Sequence, residues 1–286
     1  MMKNLKNKTA VITGAGSGIG LSIAGQCAEE GMNLVLVDIE EKALNQAFQT
    51  LSKKTNAIRI VADVSVEEEV KHFFEAAVFE YGDIHLLFNN AGVGYPGFIW
   101  QGRKQDWDWV MGVNLTGITH AIRYFIPKMI AQDCECRIIN TCSAAALESG
   151  PGNGLYRVSK HAIIALSETL YHELQILKSK VAVSILLPGY VQTNICDAQR
   201  NQPDFLTKQN EEENELDAAL NHITGIIDSM IREGVKSGTD PEKFADHVIR
   251  QIKEDKFYIF SDDMWQDAFE KRTKEIRTGL NPLPIQ

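Results

Sequence analysis

Short apolar, β-branched runs alternate with segments of helical period from the start of the chain. Ala10-Val11-Ile12-Thr13 reads as a buried strand, followed by a glycine loop and a helix ending near Gly31. Leu34 to Asp38, Ile58 to Val61, Ile84 to Phe88, Arg137 to Cys142, Val181 to Leu187 and Phe257 to Phe260 read as further strands. Ser65-Val66-Glu67-Glu68 has the spacing of a capping box. It opens a helix that turns Val70, Phe73, Phe74 and Ala77 inward and stops at Gly82. One long helix is expected from about Asp106 to Ile130, a second from about Leu155 to Leu177, and a last from Met264 to Arg277. Thr239-Asp240-Pro241 starts another, with proline in its first turn.

Apolar strands joined by helices imply right-handed crossovers and a parallel sheet covered on both faces. The expected fold is α/β: a Rossmann-type, doubly wound sheet of about seven strands, forming one domain over residues 1–286. Such sheets bind ligands beyond the carboxyl ends of their strands. Regular alternation lapses from about 194 to 236. There an acidic stretch around Glu211 precedes an amphipathic run with Leu216, Leu220, Ile223, Ile227 and Ile231, expected to pack as a helical lid.

Composition narrows the function. The chain of 286 residues carries 29 Lys and Arg against 38 Asp and Glu, a net charge of −9, which disfavours nucleic acid as a partner. No stretch approaches the ~20 apolar residues of a membrane helix. Met1 to Thr9 is polar, without the apolar run of a signal peptide, so a cytoplasmic location is expected. Five cysteines without framework spacing fit a reducing compartment. Cys134-Glu-Cys136 lacks the companions of a metal site and reads as two ordinary thiols.

Thr13-Gly14-Ala15-Gly16-Ser17-Gly18-Ile19-Gly20 lies between the first strand and the first helix. Glycines there let the backbone approach a pyrophosphate, whose charge meets the helix N-terminus. The commonest fingerprint, Gly-x-Gly-x-x-Gly, fails in this loop at Ile19; Thr-Gly-x-x-x-Gly-x-Gly fits. Asp38 closes the second strand, where a carboxylate can accept from an adenosine ribose and repel a 2′-phosphate. With no Arg or Lys in the glycine loop, NAD is the expected cofactor.

Tyr156-Arg157-Val158-Ser159-Lys160 puts a phenol and an ammonium one helical turn apart, a pairing that can bring a tyrosine into acid–base range. Ser143 lies 13 residues earlier, just past a strand, where its hydroxyl can bond a substrate oxygen. Ser159 looks like a distractor inside the helix.

The whole pattern resembles the short-chain dehydrogenase/reductase family. The matching residues are Thr13-Gly14-x-x-x-Gly18-x-Gly20, Asp63, Asn89-Asn90-Ala91-Gly92, Asn114, Ser143, Tyr156-x-x-x-Lys160 and Pro188-Gly189, in family order over about residues 8 to 195. The resemblance implies that Tyr156 is the acid–base group and Ser143 the orienting hydroxyl. Lys160 would hold the nicotinamide ribose and lower the Tyr156 pKa, and Asn114 would sit at a helix irregularity and hold a relay water. Asp63 would contact the adenine, Asn90 would support the sheet, and Thr193 would reach the carboxamide. Ser17, Ile19, Gly20, Val64, Ala91, Gly92, Gly189 and Val191 complete the expected cofactor contacts with Gly14, Gly18, Asp38, Tyr156, Lys160 and Pro188. A homodimer or homotetramer is implied as well. Cys142 stands where many relatives carry serine.

The expected activity is hydride transfer between nicotinamide and a secondary alcohol or ketone. The pocket expected from Val93, Tyr95, Phe98, Leu147 and Tyr190, with Trp100 closing a wall, suits a largely hydrophobic small molecule. Two other classes fit the same fold: an isomerase or epimerase with transient hydride transfer, and a dinucleotide-binding regulator without turnover.

Overall fold

The computed structural model describes residues 2–203 and 215–282. Among them are seven strands: β1 (Thr9–Thr13), β2 (Asn33–Asp38), β3 (Ala57–Val61), β4 (Leu86–Asn89), β5 (Cys136–Thr141), β6 (Val181–Leu187) and β7 (Tyr258–Phe260). They form one parallel sheet in the order β3-β2-β1-β4-β5-β6-β7. All five residues of β1 are buried, because this strand has neighbours on both edges and helices on both faces. The winding reverses between β1 and β4, and the cleft opens beyond their carboxyl ends.

On one face, α1 (Gly18–Glu29) packs Ile23, Ala24 and Cys27 beside Phe244, Val248 and Ile252 of α8 (Pro241–Lys253). On the other, α3 (Glu67–Tyr81), α5 (Gly117–Ala131) and α6 (Gly154–Ile176) bring together Phe73, Phe125, Leu170 and Leu174. The sheet is doubly wound, as its alternating pattern predicts.

Local differences have identifiable causes. Glu41–Leu51 forms α2, a helix not named from the periodicity; it buries Leu44, Ala47 and Leu51. The capping box at Ser65 does not form. Instead the Asp63 carboxylate accepts from the Ser65 amide at 2.8 Å and hydroxyl at 2.7 Å, while Glu69 turns back to the Asp63 amide. Ile84 leaves the sheet ladder because Gln132 holds both its amide and its carbonyl, at 2.9 Å each. The single helix expected over 106–130 is broken: α4 (Lys104–Met111) and α5 are separated by a π turn at Gly112–Thr116.

After β6 a short 3-10 stretch, Ile195–Asn201, precedes α7 (Glu215–Ser237). The expected apolar stripe packs only in part: Leu220 is buried while Leu216 and Ile223 face outward, and Val235, outside the stripe, is buried as well. The acidic residues around Glu211 lie outside the described residues. The last helix is α9 (Gln266–Thr278). Among the described residues no helix is long and apolar enough to cross a membrane, and no side-chain cluster could hold a metal ion. Cys134 and Cys136 are free thiols with sulfurs 3.7 Å apart.

Candidate active site

The glycine loop turns sharply between β1 and α1. Gly14 has a φ of +65°, and a Cβ there would stand 2.9 Å from Asn90 Nδ2. Gly20 lines no part of the cleft. It is needed for packing, since a Cβ would fall 2.0 Å from the Gly14 carbonyl oxygen, which gives it a role in shaping the loop. Ser17 precedes α1 without a capping hydrogen bond from its side chain. The loop is braced from β4: Asn90 Nδ2 donates to Thr13 O at 3.1 Å, and the Asn90 amide donates to Thr13 Oγ1 at 2.9 Å.

At the far end of the cleft, Asp38 Oδ2 accepts from the Gly16 amide at 2.8 Å and Oδ1 from the Glu40 amide at 2.9 Å. Burial pushes the Asp38 carboxyl above its ordinary value, and these two amides pull it back. Gly14, Ser17, Gly18, Ile19, Asp38, Asp63 and Val64 line one side of the cleft. Asn90, Ala91, Gly92, Ser143, Tyr156, Lys160, Pro188, Gly189, Val191 and Thr193 line the cleft as well. An open glycine cradle, a helix N-terminus and a carboxylate at the far end fit an adenine dinucleotide.

Ser143 follows β5 directly; its hydroxyl accepts from the Ala145 amide at 3.1 Å and hydrogen-bonds Tyr156. Burial raises the Tyr156 phenol to about 12, and the Ser143 bond works against that rise. Lys160 is buried and its Nζ donates to Thr141 O at 3.0 Å, with the ammonium 5.4 Å from the Tyr156 ring centre. Burial lowers Lys160 to about 8. Lys160 is not among the groups that lower the Tyr156 phenol here, since its ammonium is turned to the Thr141 carbonyl.

Asn114 sits in the π turn, the irregularity expected for it, but does not line the cleft. Its Oδ1 accepts from the Val93 amide at 2.8 Å; its Nδ2 donates to Val93 O at 3.0 Å and to Ser159 Oγ at 2.9 Å. Both amide hydrogens are thus committed within the protein. Ser159 Oγ in turn donates to Tyr156 O at 2.7 Å, so the serine set aside as a distractor links the π turn to the tyrosine. Only its spacing of three from Tyr156 could have signalled this.

This frame of glycine cradle, serine, tyrosine and buried lysine at one sheet edge coincides with a family match. Residues 8–204 match the short chain dehydrogenase model. The chain belongs to the short-chain dehydrogenase/reductase family. A short-chain dehydrogenase/reductase from Burkholderia phymatum, solved in complex with NAD, is 38% identical with a TM-score of 0.92, over 99% of each chain. A CLA biosynthesis dehydrogenase/reductase from Lactiplantibacillus plantarum is 32% identical, over 98% of this chain and 97% of its own. L-Sorbose reductase from Gluconobacter frateurii, solved with NADPH and L-sorbose, is 26% identical with a TM-score of 0.72, over 92% of this chain and 97% of its own. As a family member the chain is an oxidoreductase that uses a nicotinamide cofactor.

Of the residues expected in the substrate wall, Val93 alone among the described residues lines this cleft; Tyr95, Phe98, Leu147, Tyr190 and Trp100 do not. The Tyr95 hydroxyl bonds the Asp106 carboxylate, and Phe98 and Trp100 pack together with ring centres 4.9 Å apart and planes tilted at 42°. Leu147 packs with Ile163 and Ile185, and the Tyr190 ring lies against Gly234. Trp109, Val113, Ile195, Ala198 and Val235 supply the apolar lining in their place. Trp109 comes from α4 and Val235 from α7, elements that share no sequence motif with the catalytic residues.

Proposed function

We propose that this short-chain dehydrogenase/reductase uses NAD to interconvert a largely hydrophobic secondary alcohol and its ketone. The observation that carries the reading is that Ser143, Tyr156 and buried Lys160 line one cleft with the Asp38 carboxylate. When bound, the dinucleotide supplies or accepts the hydride at its nicotinamide ring. Tyr156 Oη then donates a proton to the forming alkoxide, or removes it in the oxidative direction. The Ser143 hydroxyl shares the substrate oxygen and fixes its angle to Tyr156.

Lys160 carries the charge that favours the phenolate once its ammonium turns from Thr141 O toward ribose hydroxyls. Asn114 acts as a positioning residue through Ser159. Gly92 leaves room for this arrangement: a Cβ there would stand 3.4 Å from Asn114 Oδ1 and 3.5 Å from Lys160 Nζ. Asp38 favours NAD, because a 2′-phosphate beside its carboxylate meets like charge in a partly desolvated corner.

The hydrophobic substrate follows from Val93, Trp109, Ile195, Ala198 and Val235 around the reacting end. The chain acts as one domain, with Ile195–Asn201 and α7 as its lid. It assembles as a homodimer or homotetramer, consistent with Val158, Tyr171 and Ile176 left exposed on α6. The test is a panel of apolar, aromatic and polyhydroxylated secondary alcohols with NAD, scored by formation of free NADH. NADH release with an apolar alcohol supports the reading; isomerisation without NADH release, or no turnover at all, sinks it.

A further inference from the structure

Three hydrogen-bond donors converge on one carboxylate oxygen inside the cleft. Arg200 Nε lies 2.9 Å, Arg200 Nη2 2.7 Å and Asn201 Nδ2 2.8 Å from Glu40 Oε1. Arg200, Asn201 and Glu40 all line the cleft, and the Glu40 amide bonds Asp38 Oδ1, so this cluster adjoins the adenosine end. The arginine comes from 160 residues away in sequence, on the 3-10 stretch after β6.

Arg200 is held without help from Glu40. Arg200 Nη1 donates to Asn194 O at 3.0 Å and Asp197 O at 2.9 Å, which fixes the guanidinium plane and leaves the Nε–Nη2 edge facing the cleft. The stretch itself is tied to α7: Arg232 Nη1 meets Asp197 Oδ1 at 2.6 Å and Nη2 donates to Cys196 O at 2.7 Å. An arginine edge plus an amide donor is the geometry that receives phosphoryl oxygens. Glu40 is dispensable for α2, since its side chain makes no capping bond there.

We propose that Arg200 and Asn201 form an oxyanion-binding pocket at the adenosine end, plugged by the protein's own Glu40 carboxylate. Glu40 is then a second specificity determinant beside Asp38. It neutralises Arg200, the one arginine that lines the cleft among the described residues, and fills the space that a 2′-phosphate would need. The inference rests on Asp38 marking the adenosine end of the cleft. It adds that exclusion of a 2′-phosphorylated dinucleotide is enforced by an internal competitor as well as by repulsion.

The test is calorimetric binding of 5′-AMP and adenosine 2′,5′-bisphosphate to the full chain, with no turnover required. The wild type should bind 5′-AMP at least as well as the bisphosphate. Glu40→Ala should improve the bisphosphate about tenfold relative to 5′-AMP, the scale of one charge-assisted contact. Adding Arg200→Gln should abolish that gain, and Arg200→Lys, which lacks the two-donor edge, should abolish most of it. A melting curve for each variant confirms folding.

A gain that survives both Arg200 variants overturns the pocket, as does a Glu40→Ala that leaves the ratio unchanged. A wild type that prefers the bisphosphate, with the preference lost in Arg200→Gln, overturns the plug. Failure of the Asp38 reading shows elsewhere: Asp38→Ala would then leave the NAD-to-NADP affinity ratio unmoved, whatever the outcome of the Glu40–Arg200 pair.

Discussion

Asn114 reaches the backbone of Tyr156 through a single hydroxyl: its Nδ2 donates to Ser159 Oγ at 2.9 Å, and that oxygen donates to Tyr156 O at 2.7 Å. Asn114 and Ser159 are fully buried. Ser159→Ala leaves an amide hydrogen of Asn114 without an acceptor, a loss of about 1–3 kcal/mol in stability. It also frees the first turn of α6 to shift, so kcat should fall about tenfold with KM little changed. Steady-state kinetics well below the variant's melting temperature checks this. An unchanged kcat would make Ser159 a purely structural residue.

Tyr156→Phe keeps the ring but removes the hydroxyl that bonds Ser143. Turnover should drop at least ~10²-fold, the scale of acid–base catalysis, while NADH affinity measured by fluorescence titration barely moves. Near-normal turnover would place the proton transfer on another group.

The strands were legible because each is a short apolar run bounded by turn residues, and the parallel sheet followed from their alternation with helices. The glycine loop, Asp38, Ser143, Tyr156 and Lys160 were legible as local motifs at fixed places after strands. What escaped depends on pairing between distant segments. Glu40 and Arg200 are unremarkable surface charges until the chain folds the stretch after β6 over the end of β2. Trp109 and Val235 reach the cleft from α4 and α7, far in sequence from the glycine loop and not part of any local motif. Tyr95 read as substrate wall, yet Asp106 claims its hydroxyl.

Asp38→Ala removes both the ribose contact and the repulsion of a 2′-phosphate. The ratio of kcat/KM for NAD over NADP should narrow by about tenfold or more, as expected for a hydrogen bond to a charged group. The Gly16 and Glu40 amides lose their acceptor at the same time, so a modest loss of thermal stability should accompany it. A wild type that prefers NADP would contradict the assignment at the outset.

Lys160 links the site to the pH dependence of stability. Burial lowers its folded pKa to about 8 from an ordinary 10.5. Below about 8 the lysine is charged in both folded and unfolded chains, and the folded state bears the whole desolvation penalty. As pH rises past 8 the folded chain releases its proton first, and the penalty fades toward 10.5. Lys160→Met, which carries no charge to desolvate, should lack this rising component. The stability gap between wild type and variant, from urea unfolding at pH 7 and pH 10, should therefore shift in favour of the wild type at the higher pH. Tyr156 adds an opposite trend only above pH 10, because its own folded value is raised to about 12. A gap independent of pH between 7 and 10 would mean that Lys160 is not desolvated.

The substrate prediction turns on two apolar residues that reach the reacting end from separate elements. Trp109 is nearly buried on α4 and Val235 nearly buried on α7, and both face the cleft that holds Ser143 and Tyr156. An apolar secondary alcohol that removes this surface from water gains about 25 cal/mol per Å², whereas a polyhydroxylated one leaves hydroxyls unpaired against it. Catalytic efficiency should therefore favour the apolar alcohol by at least tenfold over a sugar-like or phosphorylated one. Val235→Asp should erase most of that preference, with little effect on NAD affinity because the change is confined to the substrate end. A wild type that prefers the sugar-like compound would overturn the hydrophobic pocket and leave the cofactor cleft and the Ser143–Tyr156–Lys160 assignment standing. An apolar preference that survives Val235→Asp would move the substrate's contact surface to the Trp109 side of the cleft.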